Sequence, residues 1–345
     1  MSSVGVIGAG AWGTAMAKSL AEAGNQVDIW ALEQDVVDEI NTKHTNRFLP
    51  GFVFPENLKA STDIKSVAKD KEFIILASPS LFLASTVAKI LDVENIKNGS
   101  STIGILTKGF IPSAGGPKLI VETLEEVLPE CYKKCLVYIA GPSHAEEVAM
   151  NKVTGLIAAS ENPKNSIKFR ELLKGRGLLV YSSLDVVGVQ VCAAAKNVVA
   201  VAYGILDAIA EDSKIFGDNT QSLLLAAGLN EIQTIGRAMG ATHEETFVSI
   251  SGVGDLDVTC RSKYGRNRRF GHDIINKNIL DKFSNLDDLI NRISEIGYLP
   301  EGAVACKYIH QISESKGLKL PICNSLYKIL NKEADAKSVV DALIN

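Results

Sequence analysis

In the first half of the chain, short apolar runs alternate with stretches of helical periodicity. The runs read SVGVIGAG, QVDIWAL, EFIILAS, STIGILT, CLVYIAG and TGLIAAS, and each is bounded by turn or polar residues. Short apolar runs of this length are typical of buried strands. Their alternation with helices predicts a doubly wound, mostly parallel α/β sheet that carries helices on both faces.

The pattern changes near residues 182–187. Beyond this point strand signals almost disappear, and helical periodicities cover residues 186–210, 220–239, 286–296, 302–316 and 324–344. We therefore predict an α/β domain over residues 1–186, followed by an all-α domain over residues 187–345. The chain shows no internal repeat or low-complexity tract that would suggest a different architecture.

A glycine-rich turn follows the first predicted strand, and it contains Gly8, Gly10 and Gly13 in a G-x-G-x-x-G arrangement. The turn is followed by a helical segment and a second strand, which is the βαβ context that a dinucleotide-binding (Rossmann-like) motif requires. The positive end of the helix dipole would favour a pyrophosphate there. The alternative is a glycine turn that serves only helix–strand packing.

The end of the second strand bears on the choice of nucleotide. A carboxylate at this position accepts hydrogen bonds from the ribose hydroxyls, whereas an Arg accommodates the 2′-phosphate of NADP. Here the sequence reads Leu32-Glu33, with no adjacent Lys or Arg. This favours NAD, with NADP as the alternative if a later loop supplies a cation.

Composition and charge narrow the classes of function. The chain has 345 residues, is 46% hydrophobic and carries a net charge of −4, which does not favour binding to nucleic acid. Residues 186–206 reach the length of about 20 that a membrane span needs. However, a central Lys costs about 2.5–3.5 kcal/mol in a membrane, so we predict a buried helix and no stable membrane insertion.

The N-terminus and the cysteines indicate the compartment. The chain enters a strand almost at once, without the basic and apolar regions of a secretory signal. Its six cysteines are scattered, which favours thiols in a reducing environment over a disulfide framework or a zinc site. We therefore expect a cytoplasmic protein and no metal.

Lys196 is the only charged residue between positions 186 and 206. Loss of hydration disfavours an ammonium group in such surroundings and suits a lysine to base chemistry. The alternative is a lysine that extends along the helix surface to reach water.

A second polar concentration is GVGDLDVTCRSKYGRNRRFG, which we interpret as a cationic loop after a turn at residues 252–255. It holds five cations without an intervening acid: Arg261, Lys263, Arg266, Arg268 and Arg269. Arginine binds phosphate in a bidentate manner, so this segment is a candidate phosphate site. A solvated loop and, less plausibly for an acidic protein, a nucleic-acid patch are the alternatives.

Two further segments lie directly after predicted strands. Open α/β sheets bind their ligands at the carboxyl ends of their strands. The two segments are TKGF at residues 107–110 and AGPSHAEEVA at residues 140–149. His144 lies in the second segment. Because no His, Cys or carboxylate stands at ligand spacing from it, we interpret it as a loop residue and not as a metal ligand or catalytic base.

Seven motifs in order, spread over nearly the whole chain, resemble those of the bacterial NAD(P)-dependent glycerol-3-phosphate dehydrogenases. They are GAGAWGTA, NRFLPG, TKGF, AGPSHAEEVA, AAAKNVVAVA, GVGDLDVTC and GRNRRFG. The resemblance implies hydride transfer between a nicotinamide and C2 of sn-glycerol 3-phosphate, which is interconverted with dihydroxyacetone phosphate and supplied to glycerophospholipid synthesis. We also expect a homodimer.

The resemblance also implies roles for individual residues. Lys196 would be the catalytic proton acceptor in the oxidation direction. The implied substrate contacts are Lys108, Gly141, Ser143, Lys196, Asn197, Asp255, Thr259, Gly265, Arg266 and Asn267. The cofactor contacts, from the glycine turn and the resemblance together, are Gly8, Gly10, Ala11, Trp12, Gly13, Leu32, Glu33, Lys108, Ala145, Arg266, Leu299 and Glu301. We expect Trp12 to form a wall of the cofactor site.

Four residues depart from the family pattern. Ala11 stands where the family often has Ser or another residue, which should matter little, Gly265 stands where Ser is usual, and Ala226-Ala227 stand where Thr-Arg is common. Gly265 and Ala227 keep open the hypothesis of a dehydrogenase of the same architecture that acts on a different phosphorylated ketone or alcohol. A catalytically silent NAD(H)-binding sensor is a further alternative.

Overall fold

The computed structural model describes residues 1–211, 213–262 and 264–344. The chain divides into two compact units, which are residues 1–111 with 119–186, and residues 112–118 with 187–345. The short segment 112–118 therefore groups with the second unit, whereas the sequence pattern assigned it to the first domain.

The strands and helices of the first unit follow the predicted alternation. The strands are β1 Ser3–Ile7, β2 Gln26–Trp30, β3 Leu58–Ser61, β4 Phe73–Leu76, β5 Thr102–Ile105, β6 Phe110–Ile111, β7 Lys118–Leu119, β8 Val137–Ala140, β9 Thr154–Ala159 and β10 Leu178–Ser183. The helices are α1 Ala11–Glu22, α2 Gln34–Asp38, α3 Ile64–Ala68, α4 Ser80–Val87, α5 Glu94–Lys97, α6 Ile120–Val127, α7 Ala145–Ala149 and α8 Pro163–Leu173. Short helical turns cover Glu39–Lys43, Ala88–Ile90 and Glu130–Tyr132.

Eight of these strands form one sheet in the order β10-β9-β8-β5-β4-β1-β2-β3, while β6 and β7 form a separate two-stranded sheet. Neighbouring strands run parallel, except for the antiparallel pair β8 and β9. The prediction of a mostly parallel sheet is confirmed. The sequence pattern did not reveal β3 and β10, which are the two edge strands.

Strand β1 lies between β2 and β4, where the strand order reverses. Its residues Val4, Val6 and Ile7 are fully buried. In open α/β sheets, ligands bind beyond the carboxyl end of the strand at such a reversal. The glycine turn Gly8–Gly13 follows β1 directly and therefore occupies this position.

The second unit is helical. Its helices are α9 Val186–Glu211, α10 Asp218–Met239, α11 Asp255–Arg261, α12 Arg266–Asn276, α13 Leu286–Asn291, α14 Glu301–Lys316, α15 Pro321–Leu330 and α16 Ser338–Ile344. Short helical turns cover Glu244–Thr246, Ile250–Gly254, Ile279–Lys282 and Ile293–Ile296. The periodicity over residues 324–344 is interrupted because the chain leaves the helix at Asn331 and Lys332 takes a positive φ of 61°.

Among the described residues, one helix, α9, is long and apolar enough to cross a membrane. Its most apolar stretch of 18 residues is 94% buried inside the protein. It crosses α12 at a distance that only glycine allows. A Cβ atom at Gly204 would lie 2.0 Å from the carbonyl oxygen of Arg268, and one at Gly271 would lie 2.3 Å from that of Val201. The two backbones are therefore in direct contact.

Candidate active site

The three glycines of the turn after β1 have different surroundings. Gly8 has a φ of +125°, and a Cβ atom at Gly13 would lie 2.1 Å from the carbonyl oxygen of Gly8. Glycine is required at Gly8 by the conformation of the turn, and at Gly13 by the close packing of the helix against the end of the strand. Gly10, in contrast, is exposed, and a Cβ atom there would meet nothing within 4 Å. Gly10 alone therefore leaves open surface that a ligand can approach.

Helix α1 begins at Ala11, directly after Gly10, and no side chain caps its N-terminus. The first N–H groups of a helix have no partner within it and attract an anion. The indole of Trp12 packs in part against the core of this unit. Its Nε1 is buried and has no hydrogen-bond partner among the described residues. Ala11 and Trp12 therefore border the open surface at Gly10.

The end of β2 has a cation near it that the local sequence did not reveal. Leu32 is 70% exposed, and Glu33 is also exposed. The guanidinium of Arg47 forms an ion pair with Asp35, and this hydrogen bond raises the pKa of Arg47, with further contributions from Glu33 and Glu39. Arg47 comes from the NRFLPG motif and is remote from Glu33 in sequence, so reading the residues next to Glu33 could not find it.

Asn46 explains how the NRFLPG segment reaches this place. Its buried side-chain amide donates to the carbonyl oxygen of Ala9 and to Oγ1 of Thr14, both at 2.9 Å. Its Oδ1 accepts a hydrogen bond from the backbone N–H of Phe48 at 2.9 Å. The segment is therefore fixed to the glycine turn.

Three of the residues implied as substrate contacts meet at the carbonyl oxygen of Gly141. Lys108 Nζ donates to it at 3.4 Å and Ser143 Oγ at 2.9 Å. Gly141 follows β8 directly and has a φ of +147°, a conformation that favours glycine. Ala145 is the first residue of α7, and His144 immediately precedes that helix.

Lys196 lies on α9 with its side chain only 7% exposed. Its ammonium group forms an ion pair with the carboxylate of Asp255, whose side chain is 1% exposed, and donates to Thr259 Oγ1 at 2.9 Å. The Thr259 hydroxyl in turn donates to the backbone carbonyl of Asp255 at 2.6 Å. The alternative of a lysine that extends to water is wrong, because the polar end is buried in a network with α11.

The cationic segment is helical, and our interpretation of it as a loop is wrong. Helices α11 and α12 cover most of it because the apolar residues Leu256, Cys260, Phe270 and Ile274 are buried at helical spacing. Lys263 lies outside the described residues. Among the others, Arg261 pairs with Asp257 at 2.8 Å, Arg268 with Asp207, and Arg269 with Asp273 at 3.8 Å.

Arg266 differs from these three arginines. It is exposed at the first position of α12 and makes no ion pair with any described residue. Gly265 precedes it as the N-cap and supplies no side-chain cap, and the first turn of α12 contains no acidic residue. A free guanidinium beside unpaired helical N–H groups is an arrangement that binds phosphate.

Gly265 also has a packing reason. A Cβ atom at this position would lie 2.9 Å from the carbonyl oxygen of Thr259 and 3.1 Å from that of Ser262. In this chain a serine would therefore require the backbone to shift.

Asn267 connects three elements. Its amide nitrogen donates to Asn197 Oδ1 on α9 at 3.0 Å, and its Oδ1 accepts from the backbone N–H of Gly302 on α14 at 2.8 Å. These bonds use the side-chain oxygen and one amide proton, so the other amide proton makes no hydrogen bond to a described residue. Asn197, the neighbour of Lys196, is thereby tied to the start of α12.

The described residues contain no group of three or more His, Cys, Asp or Glu side chains that could hold a metal ion. No two of the six cysteines, all of which lie in the described part of the chain, form a disulfide.

Leu299 and Glu301, the predicted cofactor contacts of the second unit, lie at the start of α14. Leu299 precedes the helix and Glu301 is its first residue, and both are half-buried.

Comparison with known proteins covers both units. Residues 3–166 match the family model for the N-terminus of NAD-dependent glycerol-3-phosphate dehydrogenase, and residues 185–341 match the one for its C-terminus. The chain belongs to this family.

Similar proteins within the family include the glycerol-3-phosphate dehydrogenase (NAD(P)+) of Treponema denticola, which is 61% identical over 99% of this chain and 98% of its own length. The protein of the same name from Treponema pallidum strain Nichols is 53% identical over 100% and 99%. Among solved structures, glycerol-3-phosphate dehydrogenase from Coxiella burnetii has a TM-score of 0.85 at 30% identity and covers 100% of this chain and 99% of its own.

The family is NAD(P)-dependent, and the first unit fits a dinucleotide. The open surface at Gly10, the uncapped start of α1 and the unpartnered Nε1 of Trp12 lie at the carboxyl end of β1. Together they leave room and hydrogen-bond donors for a pyrophosphate. The residues that would hold the dinucleotide are Gly10, Ala11 and Trp12, with Leu32 and Glu33 at the end of β2.

Proposed function

We propose that this chain interconverts sn-glycerol 3-phosphate and dihydroxyacetone phosphate with NAD(H), and so supplies glycerol 3-phosphate for glycerophospholipid synthesis. The proposal rests on two features that the second unit contains together. This unit combines a buried Lys196–Asp255 pair with Arg266, which is exposed at the start of α12 and forms no ion pair with a described residue. The first is suited to proton transfer at a hydroxyl group, and the second to a phosphate.

Arg266 and the backbone N–H groups of the first turn of α12 bind the substrate phosphate in this proposal. The phosphate carries negative charge, which both the guanidinium and the helix dipole favour. The bonds of Asn267 to Asn197 connect this helix start to the residue next to Lys196. The phosphate thereby orients the substrate relative to the ammonium group.

Lys196 moves the proton. When bound, the reduced nicotinamide supplies a hydride to C2. The ammonium group of Lys196 donates its proton to the C2 oxygen, and the carbonyl becomes a secondary alcohol. In the opposite direction the neutral amine accepts that proton, since an alcohol is too weak an acid to lose it unaided.

Asp255 and Thr259 determine the form in which Lys196 is held. The carboxylate neutralises the ammonium charge at a buried position, and Thr259 accepts a hydrogen bond from the same nitrogen. In its ammonium form, Lys196 supplies the proton that reduction of the ketone requires. Oxidation requires that Lys196 first lose a proton.

The first unit contributes further polar groups. We propose that Lys108, Gly141 and Ser143 contact the substrate, and that Gly8, Gly13, Lys108 and Ala145 belong to the cofactor-binding segments together with the residues named above. The support is that Lys108 and Ser143 both donate to the Gly141 carbonyl at the carboxyl end of β8. Leu299, Glu301 and Arg266 are the proposed cofactor contacts of the second unit.

An initial-rate assay tests the function. We expect oxidation of NADH by dihydroxyacetone phosphate and much slower turnover of dihydroxyacetone, which lacks the phosphate. We expect a lower rate with NADPH, because Arg47, the cation near the end of β2, is paired with Asp35. Lys196→Met should lower kcat by at least about 100-fold, the lower end for loss of a general acid–base group. Turnover of another phosphorylated ketone in place of dihydroxyacetone phosphate would overturn the substrate assignment, and full activity of Lys196→Met would overturn the role of Lys196.

We also propose a cytoplasmic homodimer that binds a phosphorylated small molecule and neither nucleic acid nor membrane. The acidic net charge of −4 and the burial of α9 support the last two points. Sedimentation analysis should give about twice the 37.0 kDa mass of one chain, and a monomer mass would overturn the dimer.

A further inference from the structure

Tyr298 lies in the segment between the short helical turn Ile293–Ile296 and α14, and it makes a contact that the proposed reaction does not use. Its hydroxyl donates to Oδ2 of Asp273 on α12 at 2.6 Å. This length is typical of a hydroxyl bound to a carboxylate, one of the stronger classes of hydrogen bond in proteins. The ring also lies against the guanidinium of Arg269, 4.6 Å from the ring centroid.

The first turn of α14, which follows this segment, is attached to α12 at a second point. The backbone N–H of Gly302 donates to Asn267 Oδ1 at 2.8 Å. Gly302 also approaches α9 closely, since a Cβ atom there would lie 2.4 Å from the carbonyl oxygen of Asn197. Tyr298 and Gly302 thus fix both ends of the segment that contains Leu299 and Glu301.

Asp273 is well placed to anchor the hydroxyl. It is 6% exposed, and Lys277 Nζ contacts its Oδ1 at 2.9 Å. Burial raises the pKa of Asp273, but the hydrogen bonds from Tyr298 and Lys277 outweigh burial and hold the pKa below its usual value. The carboxylate is therefore charged at neutral pH and remains an acceptor for Tyr298.

We propose that Tyr298 is a positioning residue that holds Leu299 and Glu301 in the conformation that contacts the dinucleotide. The inference rests on the proposed function, in which these two residues are cofactor contacts. When a segment is already held in its binding conformation, no further conformational entropy is lost as the ligand binds. If the segment occupies that conformation for only a tenth of the time, the apparent Kd rises tenfold.

Tyr298→Phe tests this proposal with little risk to folding. The variant removes one hydroxyl, while Asp273 keeps Lys277 and Arg269 keeps an aromatic ring to stack on. The matched control is Tyr327→Phe in the same unit. The Tyr327 ring stacks on His310 at 3.6 Å, and its hydroxyl makes no hydrogen bond to a described residue.

The measurements are direct binding of NADH by fluorescence titration and the thermal midpoint of the nucleotide-free protein. We expect Tyr298→Phe to raise the Kd for NADH about tenfold with a thermal midpoint close to that of the parent, and Tyr327→Phe to change neither. In kinetics, KM for NADH should rise while kcat is retained. In an Asp273→Asn background, Tyr298→Phe should have a smaller further effect, because the acceptor charge is already lost.

An unchanged Kd in Tyr298→Phe, or an equal rise in Tyr327→Phe, would overturn the positioning role. A lowered thermal midpoint with an unchanged Kd would also overturn it, since Tyr298 would then act only on stability. If the parent chain itself does not bind NADH, the proposed function fails and this inference fails with it. Binding by the parent with no effect of Tyr298→Phe removes the inference alone.

Discussion

The ammonium group of Lys196 and the carboxylate of Asp255 form an ion pair in which both side chains are almost fully buried. They are 59 residues apart in sequence and meet where α9 contacts α11. Each charge would be costly at this place without the other, because burial removes the hydration of both. The pair thereby holds a proton donor at a buried position.

Removal of only one partner should be destabilising. In Asp255→Asn the ammonium group of Lys196 loses its counter-charge, and we expect a loss of about 3–5 kcal/mol in the free energy of unfolding. The double variant Lys196→Met with Asp255→Asn should recover much of this loss because neither charge remains. Denaturant unfolding measures both variants.

The control is Asp257→Asn, which breaks the exposed pair with Arg261. It should change the free energy of unfolding by at most about 1 kcal/mol. A similar loss of stability in Asp255→Asn and Asp257→Asn would contradict this account.

Arg266 should act on the phosphorylated substrate more than the neighbouring arginines do. Arg266→Ala removes an unpaired guanidinium, and hydrogen bonds to charged groups contribute about 1.5–3 kcal/mol. We therefore expect KM for dihydroxyacetone phosphate to rise by about 10- to 100-fold. Arg261→Ala serves as the control, because that arginine is also exposed but is paired with Asp257. Equal KM values in the two variants would exclude a phosphate-binding role for Arg266.

Two glycines of the same turn should respond differently to alanine. Gly10→Ala places a methyl group in open space, so the thermal midpoint should stay near that of the parent while NADH binding weakens. Gly13→Ala forces a methyl group to within 2.1 Å of the Gly8 carbonyl, so the thermal midpoint should fall because the helix must move away from the strand. Thermal unfolding and NADH titration distinguish the two variants. Unaltered NADH binding by Gly10→Ala would argue against a pyrophosphate at this position.

Asp207 should make stability depend on pH. It accepts hydrogen bonds from His272 Nε2 at 2.7 Å and from Arg268 Nε at 2.9 Å. The hydrogen bond from His272, followed by those from Arg268, lowers the pKa of Asp207 against the opposing effect of burial. A carboxyl group with a lowered pKa stabilises the fold above its unfolded pKa of about 3.9, and this contribution is lost as the pH falls through the folded value.

We therefore expect Asp207→Asn to have a lower thermal midpoint than the parent at pH 7, and the difference to shrink below about pH 4. Asp281→Asn is a suitable control, because Asp281 is exposed and makes no ion pair with a described residue. A difference between Asp207→Asn and the parent that does not change with pH would show that the carboxylate charge is not the cause.

Much of the architecture could be predicted from local patterns. The buried strands around β1, the glycine turn and the long helices α9 and α10 are encoded in contiguous residues, because burial of one face or of a whole element leaves a periodic trace. The edge strands β3 and β10 were missed, since an edge strand is only partly buried and its apolar pattern is weaker. The cationic segment was taken for a loop because its charges obscured the few buried apolar residues of α11 and α12.

The sequence by itself determined the types of chemistry: a glycine turn for a dinucleotide, an isolated lysine in an apolar helix, and a concentration of arginines. Tertiary structure decided which partners the remote groups find. Asp207 engages Arg268 across 61 residues and Asp255 engages Lys196 across 59, whereas Arg261 and Arg269 pair with acids four residues away in their own helices and Arg266 pairs with no described residue. Charges act through space over a few ångströms, so partners that are 60 residues apart leave no local trace in the sequence.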